Sequence, residues 1–283
     1  MSAATDVADG AQRKTASTPG LVADLKEIVT EQYEFRELLY QMTRRDLLLR
    51  YKQAVMGFGW AIFMPLVNTV VFSVIFTRVA PLDTGMPYPL YAYCGLLAWN
   101  FSASSFRFAV TSLTGNANLV TKVYFPREIF PISAVLVSLV DFAIGSVVLV
   151  GLMAYYGVAP TGALIALPWV LLVHLLFTLS ISLLLSMANL FYRDVKYLFE
   201  LVLTVWMFLS AVLYPVERIG GVMGRLLQLN PLTPIIEGYR DVLLRGHGPD
   251  PSSFLITTVV SAILLVVAWV VFHRAEYEFA ENV

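Results

Sequence analysis

Cysteine is nearly absent: Cys94 is the single thiol in 283 residues. One thiol closes no internal disulfide, so a disulfide-stapled fold is excluded. Cys94 sits inside an apolar block and reads as a small buried hydrophobe. Charge is scarce as well, at 14% of residues, where soluble domains carry about a quarter. Only five lysines occur, and none follows a glycine. That excludes a Walker A loop, so the chain is not itself a P-loop ATPase. The three histidines, His174, His247 and His273, show no metal-ligand spacing to another ligand along the chain. No GxSxG occurs, and the loops carry no carboxylate cluster suited to glycosyl transfer. No catalysis, metal or cofactor of its own is expected. With a net charge of -1 and no basic tail, no nucleic-acid partner is expected either.

What the chain has is apolar surface. Hydrophobic residues make up 58% of it, and its mean hydropathy is +0.72. A membrane span needs about 20 mostly apolar residues to cross roughly 30 Å of hydrocarbon. Six blocks qualify: Phe58 to Thr77, Tyr88 to Leu113, Ile129 to Tyr156, Ala163 to Leu190, Leu198 to Tyr214 and Ser253 to Phe272. The first block begins behind a long polar segment, so it is no cleaved signal. Residues 1–30 read as a disordered tail, 31–56 as an interface helix, 57–275 as a six-span domain and 276–283 as a short tail. Lysine and arginine collect before the first block (Arg13, Lys14, Lys26, Arg36, Arg44, Arg45, Arg50 and Lys52) and in the second-to-third and fourth-to-fifth loops. By the positive-inside rule both termini are cytoplasmic. The fifth-to-sixth loop is an exception, with Arg218, Arg225, Arg240 and Arg245 on the outer side.

That outer segment, 215–250, holds two short apolar-rich stretches split by Asn230-Pro231. In the second, Ile235, Ile236, Tyr239, Val242 and Leu243 recur at helical spacing, with Glu237, Arg240 and Asp241 on the other side. Two readings stand: re-entrant half-helices capping a pore, or a helix lying in the interface. Before the first block, Phe35, Leu38, Leu39 and Met42 recur at i, i+3, i+4 and i+7 amid basic residues. This predicts an amphipathic helix on the cytoplasmic bilayer surface. Ionisable groups within a bilayer are costly and turn to protein or water. Arg107 and Asp141 sit at similar depth on neighbouring blocks and are expected to pair, or else to form a polar wall. His174 is expected to be a hydrogen-bonded helix contact.

Four local patterns then line up in order. They are Arg45-Asp46-Leu47 and Arg50-Tyr51-Lys52 followed by Gly57, Trp60 and Pro65; Phe125-Pro126-Arg127-Glu128-Ile129-Phe130-Pro131; Asn189 with Arg193-Asp194-Val195; and Asn230-Pro231-Leu232 with Glu237, Tyr239-Arg240 and Leu243-Leu244-Arg245-Gly246. Across residues 35 to 275 they resemble the ABC-2-type permeases that export polysaccharide and polyol-phosphate polymers. The resemblance implies an all-α integral membrane fold of six helices, with an interface helix and two outer gate helices. It implies a homodimer in the bacterial plasma membrane, joined to two copies of a separate ATPase subunit that carries ATP and magnesium. The loop 114–128 would be the coupling element, through Asn118, Lys122, Val123, Tyr124, Phe125, Pro126, Arg127 and Glu128. Val123, Tyr124 and Phe125 would form an apolar knob, with Arg193 and Asp194 as a second contact. Arg44, Arg45 and Arg50 would receive either the substrate's pyrophosphate or anionic lipid head groups. Phe58, Thr69, Phe72, Phe76, Trp206 and Tyr214 would line the conduit, or serve as ordinary helix and interface contacts. Asn230, Pro231, Glu237, Tyr239 and Arg240 would form the outer gate. The cargo would be a lipid-linked glycan such as O-antigen, teichoic acid or galactan, with a drug or small lipid as the alternative.

Overall fold

The computed structural model describes residues 30–52, 56–57, 59–122, 125–216 and 219–279. Among these there are helices and turns and no strand. Four helices are long and apolar enough to cross a membrane: Gly59–Val79 (α2), Ile129–Tyr155 (α5), Gly162–Phe191 (α6 with its leading 3-10 turn) and Pro251–Ala275 (α10). Lengths and caps follow from local chemistry. Asp250 caps α10 by accepting the Ser253 backbone N–H at 2.9 Å, and Pro251 supplies the preset φ of a first helical residue. The α2 helix ends in a π turn, Ile75–Val79.

The second apolar block forms α3, Tyr88–Val110, and the fifth forms α7, Val195–Leu209. At 1.5 Å per residue these are about 34 Å and about 22 Å long. The α3 helix carries Asn100, Ser102, Ser104, Ser105 and Arg107, so it is less apolar than its neighbours. It has the most central position, packing on α5, α6, α2 and α7 and buried on nearly every face. Small residues make this feasible, because they let other helices approach closely. By contrast α2 and α7 are open, with Met64, Val70 and Val74 on one and Leu198, Leu201 and Val205 on the other exposed.

Preceding α2 is α1, Arg36–Tyr51, which packs on α5. Its stripe of Phe35, Leu38, Leu39 and Met42 was expected to meet lipid. It is instead packed into a cluster with Leu113, Val120, Phe125, Phe130, Leu190 and Phe279. The cluster gathers α1, a short helix α4 (Ala117–Lys122), the ends of α6 and α10, and the turn after α10 at one end of the molecule. At the other end lie α8, Gly221–Leu229, and α9, Leu232–Arg240, followed by a π turn, Asp241–Arg245. These match the two short stretches expected on either side of Asn230-Pro231.

Candidate functional site

A cleft of about 440 Å³ opens between the C-terminal end of α1 and helices α2, α3 and α5. Its walls combine Arg50, Arg107 and Asp141 with the amides of Asn68 and Asn100 and the rings of Trp60 and Phe101. Arg107 and Asp141 face this common space but do not pair, which corrects the sequence expectation. Arg107 Nε donates to both Glu200 oxygens at 3.1 Å. Asp141 forms an ion pair with Arg50 at 2.6 Å and accepts a hydrogen bond from the Tyr51 hydroxyl. The reason is reach: α1 lays a guanidinium and a hydroxyl over α5, and α7 brings Glu200 to α3. Burial, reinforced by Asp141, pushes the Tyr51 phenol well above its ordinary range. Arg50 also stacks over the Phe108 ring at 4.0 Å. The guanidinium is thus oriented by an ion pair and an aromatic face.

The three arginines expected to act together do not converge. Arg50 turns into the cleft, while Arg44 and Arg45 border a shallow groove along α1 with Lys52. Arg45 donates to Asp46 at 2.8 Å and to Asn116 at 3.0 Å.

The segment expected to meet an ATPase divides into two faces. Phe125 is buried in the chain's own cluster, and Pro126 and Glu128 are buried as well. Arg127 donates through its backbone N–H and Nη1 to Glu276 Oε1, both at 3.1 Å. Phe125 therefore is no exposed knob: it supports the loop from inside. Val123 and Tyr124 lie outside the described residues, as does the Lys122 side chain. Asn118, Thr121, Arg193 and Asp194 are exposed. Asn189 joins their two loops, donating to Thr114 Oγ1 at 3.4 Å and accepting the Lys196 N–H at 3.3 Å. A polar recess of about 350 Å³ lies between the loops, lined by Thr114, Ala117, Asn189, Arg193 and Lys196.

Of the aromatic residues expected along a conduit, Phe72, Phe76, Trp206 and Tyr214 are half-buried and make contacts within the chain. Phe76 packs on Tyr88 at 5.4 Å, and Phe72 on Phe76 at 6.5 Å. Trp206 stacks on Phe106 at 5.7 Å and donates to Asn230 at 3.1 Å. Thr69 is buried, its hydroxyl bonded to the Pro65 carbonyl at 2.8 Å. Tyr214 donates to the Phe208 carbonyl. Phe58 lies outside the described residues.

The α9 helix was expected to keep Arg240 and Asp241 on a polar outer side, but Arg240 is fully buried and Asp241 nearly so. The Arg240 side chain lies over the Tyr91 ring at 3.6 Å. It donates to the carbonyls of Ala211 at 3.1 Å and Val212 at 2.5 Å, and pairs with Glu237 at 2.5 Å. The chain breaks out of helix after α7, with Ala211 held at a φ of 51°. Those freed carbonyls need donors, and Arg240 supplies them. Glu237 also takes Arg245 at 2.7 Å. Burial raises its carboxyl, but Arg240 and Arg245 outweigh burial and leave it below the ordinary range. Pro231 starts α9. Asn230 donates to the Leu209 carbonyl and Ser210 at 3.0 and 2.8 Å, tying both short helices to α7. Tyr239 reaches inward to His174, 3.3 Å away, and His174 meets Ser102 at 2.7 Å. As expected, His174 is a hydrogen-bonded contact between helices.

A bundle of apolar helices with a polar, arginine-lined cleft among them describes a membrane transport protein. The chain matches the ABC-2 type transporter family over residues 37–244 and belongs to that family. It is similar to an O-antigen export system permease protein, RfbA, of Myxococcus xanthus, at 30% identity over 259 residues, 90% of this chain and 99% of the relative. Two proteins of the same name from Klebsiella pneumoniae are 29% identical to it, each match covering 87% of this chain and 94% of the relative.

Proposed function

We propose that the chain is the membrane permease of an ATP-driven exporter of lipid-linked cell-surface polysaccharide. The observation that carries this is similarity running almost end to end with relatives named as O-antigen export permeases. In this reading α3 and α7 join the four apolar spans to give six crossings, and both termini are cytoplasmic. Two copies assemble through the open sides of α2 and α7, with the conduit between them. The exposed residues Asn118, Thr121, Arg193 and Asp194 then form the docking face for a separate ATPase subunit, two copies per exporter. That subunit holds ATP and magnesium and supplies the hydrolysis. Closure of the ATPase pair moves this face, and the buried Phe125 passes the motion to the cluster beneath it.

The cleft suits the polar end of such a substrate. Guanidinium groups match phosphate oxygens, carboxamides match sugar hydroxyls, and the ring of Trp60 offers a face for sugar C–H groups. Arg44, Arg45 and Lys52 on the shallow groove are placed to gather anionic head groups near the cleft mouth. The outer segment, 215–250, held by Arg240 and Asn230, serves as the gate.

The test is depletion in the native bacterium combined with reconstitution. Lipid-linked glycan should accumulate on the inner side when the chain is depleted, and vesicles should export it only with the partner ATPase and ATP. Loss of glycan synthesis on depletion, or ATP-independent export by the chain alone, would overturn the proposal. Within the exporter, Arg50→Ala should lower transport at least tenfold while leaving ATPase association unchanged, measured by co-purification.

A further inference from the structure

Where the loop before α5 meets the end of α10, three potential metal ligands face one another. His273 Nδ1 stands 3.2 Å from Glu128 Oε1 and 3.8 Å from Glu276 Oε2. The three ligand atoms lie within 4.8 Å of one another. With metal–ligand bonds of about 2.1 Å, neighbouring ligand atoms in a tetrahedral site are about 3.4 Å apart. The observed spacings bracket that value.

Glu128 adds a second observation. Its side chain is 1% exposed, and its Oε2 has no hydrogen-bond partner. Such a carboxylate oxygen carries its desolvation cost with nothing to offset it. The Glu276 carboxylate, meanwhile, is aimed. Arg127 holds its Oε1 through the backbone N–H and the guanidinium, which leaves Oε2 turned to the imidazole. Outer partners of this kind fix the direction of a metal ligand.

We infer that Glu128, His273 and Glu276 form a binding site for a divalent transition-metal ion of the zinc class. One imidazole with two carboxylates suits zinc, cobalt or manganese better than calcium or magnesium, which prefer oxygen alone. Three protein ligands leave a fourth position for water. The bound ion staples the residue after Arg127 to the end of α10, whatever cargo the protein carries. Spacing along the chain conceals the site, since Glu128 lies 145 residues from His273.

The experiment uses the purified full-length chain, stripped with a chelator and titrated with zinc or cobalt alone. Calorimetry should find one zinc ion per chain, and cobalt should give the visible d–d absorption of a low-coordinate nitrogen–oxygen site. Glu128→Gln and His273→Ala should each weaken binding at least a hundredfold. His247→Ala, which removes the imidazole near Asp241, should leave it unchanged. Wild-type protein that takes up no zinc and gives no d–d band would overturn the site and leave a hydrogen-bonded ion pair only. So would a Glu128→Gln variant that elutes as wild type and binds zinc equally well. The wild-type titration decides the matter even if a variant fails to fold.

Discussion

Arg240 shows how one buried charge can organise a region. It is desolvated completely, yet an aromatic ring, a carboxylate and the carbonyls after α7 all face its guanidinium. Removing one partner of a buried pair leaves the other uncompensated, at about 3–5 kcal/mol. Arg240→Leu should therefore lower the melting temperature sharply and release the 211–245 segment to proteolysis. The space around the guanidinium is equally restricted. A methyl group on Gly95 would lie 2.3 Å from Arg240 Nη2 and 2.5 Å from the Val212 carbonyl oxygen. Gly95→Ala should cost about 1–3 kcal/mol by overpacking, read as a fall in thermal stability in detergent. Glu237 sets a pH dependence. Its folded value is depressed below the ordinary 4.5 by Arg240 and Arg245. The stability it contributes is therefore present above 4.5 and is lost as pH falls through the lower folded value. Melting followed by intrinsic fluorescence should show this acid-side loss, and Glu237→Gln should flatten it.

At the level of elements, α1 is fastened to the bundle by specific side chains. The Arg50 ion pair and the Tyr51 hydrogen bond to Asp141 lock its C-terminal end to α5, and Ser133 donates to Asp46 at 2.9 Å further along. Asp141→Asn should weaken the lock and speed amide hydrogen exchange across residues 36–51, with little change in α10. The helices themselves were legible in the sequence. Apolar runs marked α2, α5, α6 and α10, and Asn-Pro marked the break between α8 and α9. The direction of each side chain was less legible. Periodicity puts Phe35, Leu38, Leu39 and Met42 on one face, but cannot say whether lipid or protein covers it. Arg240 reads as polar and outward, because the acceptors that hold it inside are main-chain carbonyls near residue 211. Arg107 and Asp141 each found a partner on an element whose approach is set by tertiary packing, and no depth estimate along two helices reveals that. The lower-hydropathy α3 was found as a block, but its central position was not.

Across the whole molecule, coverage is uneven. The α3 helix is enclosed, whereas α2 and α7 show apolar side chains outward along much of their length. The packing around the 117–128 loop draws on both halves of the chain, since Arg127 and Glu276 are 149 residues apart, and so are Tyr91 and Arg240 at the opposite end. Truncation after Ala275 should therefore expose the distant 117–128 loop to protease, seen as new cleavage there with α5 intact. That separation also sets an order for biogenesis. The loop leaves the ribosome well before its clasp, because Glu276 lies 149 residues after Arg127. Nascent chains must hold the loop unsecured until Glu276 has been made, so the loop reaches its clasped form only after α10 is synthesised.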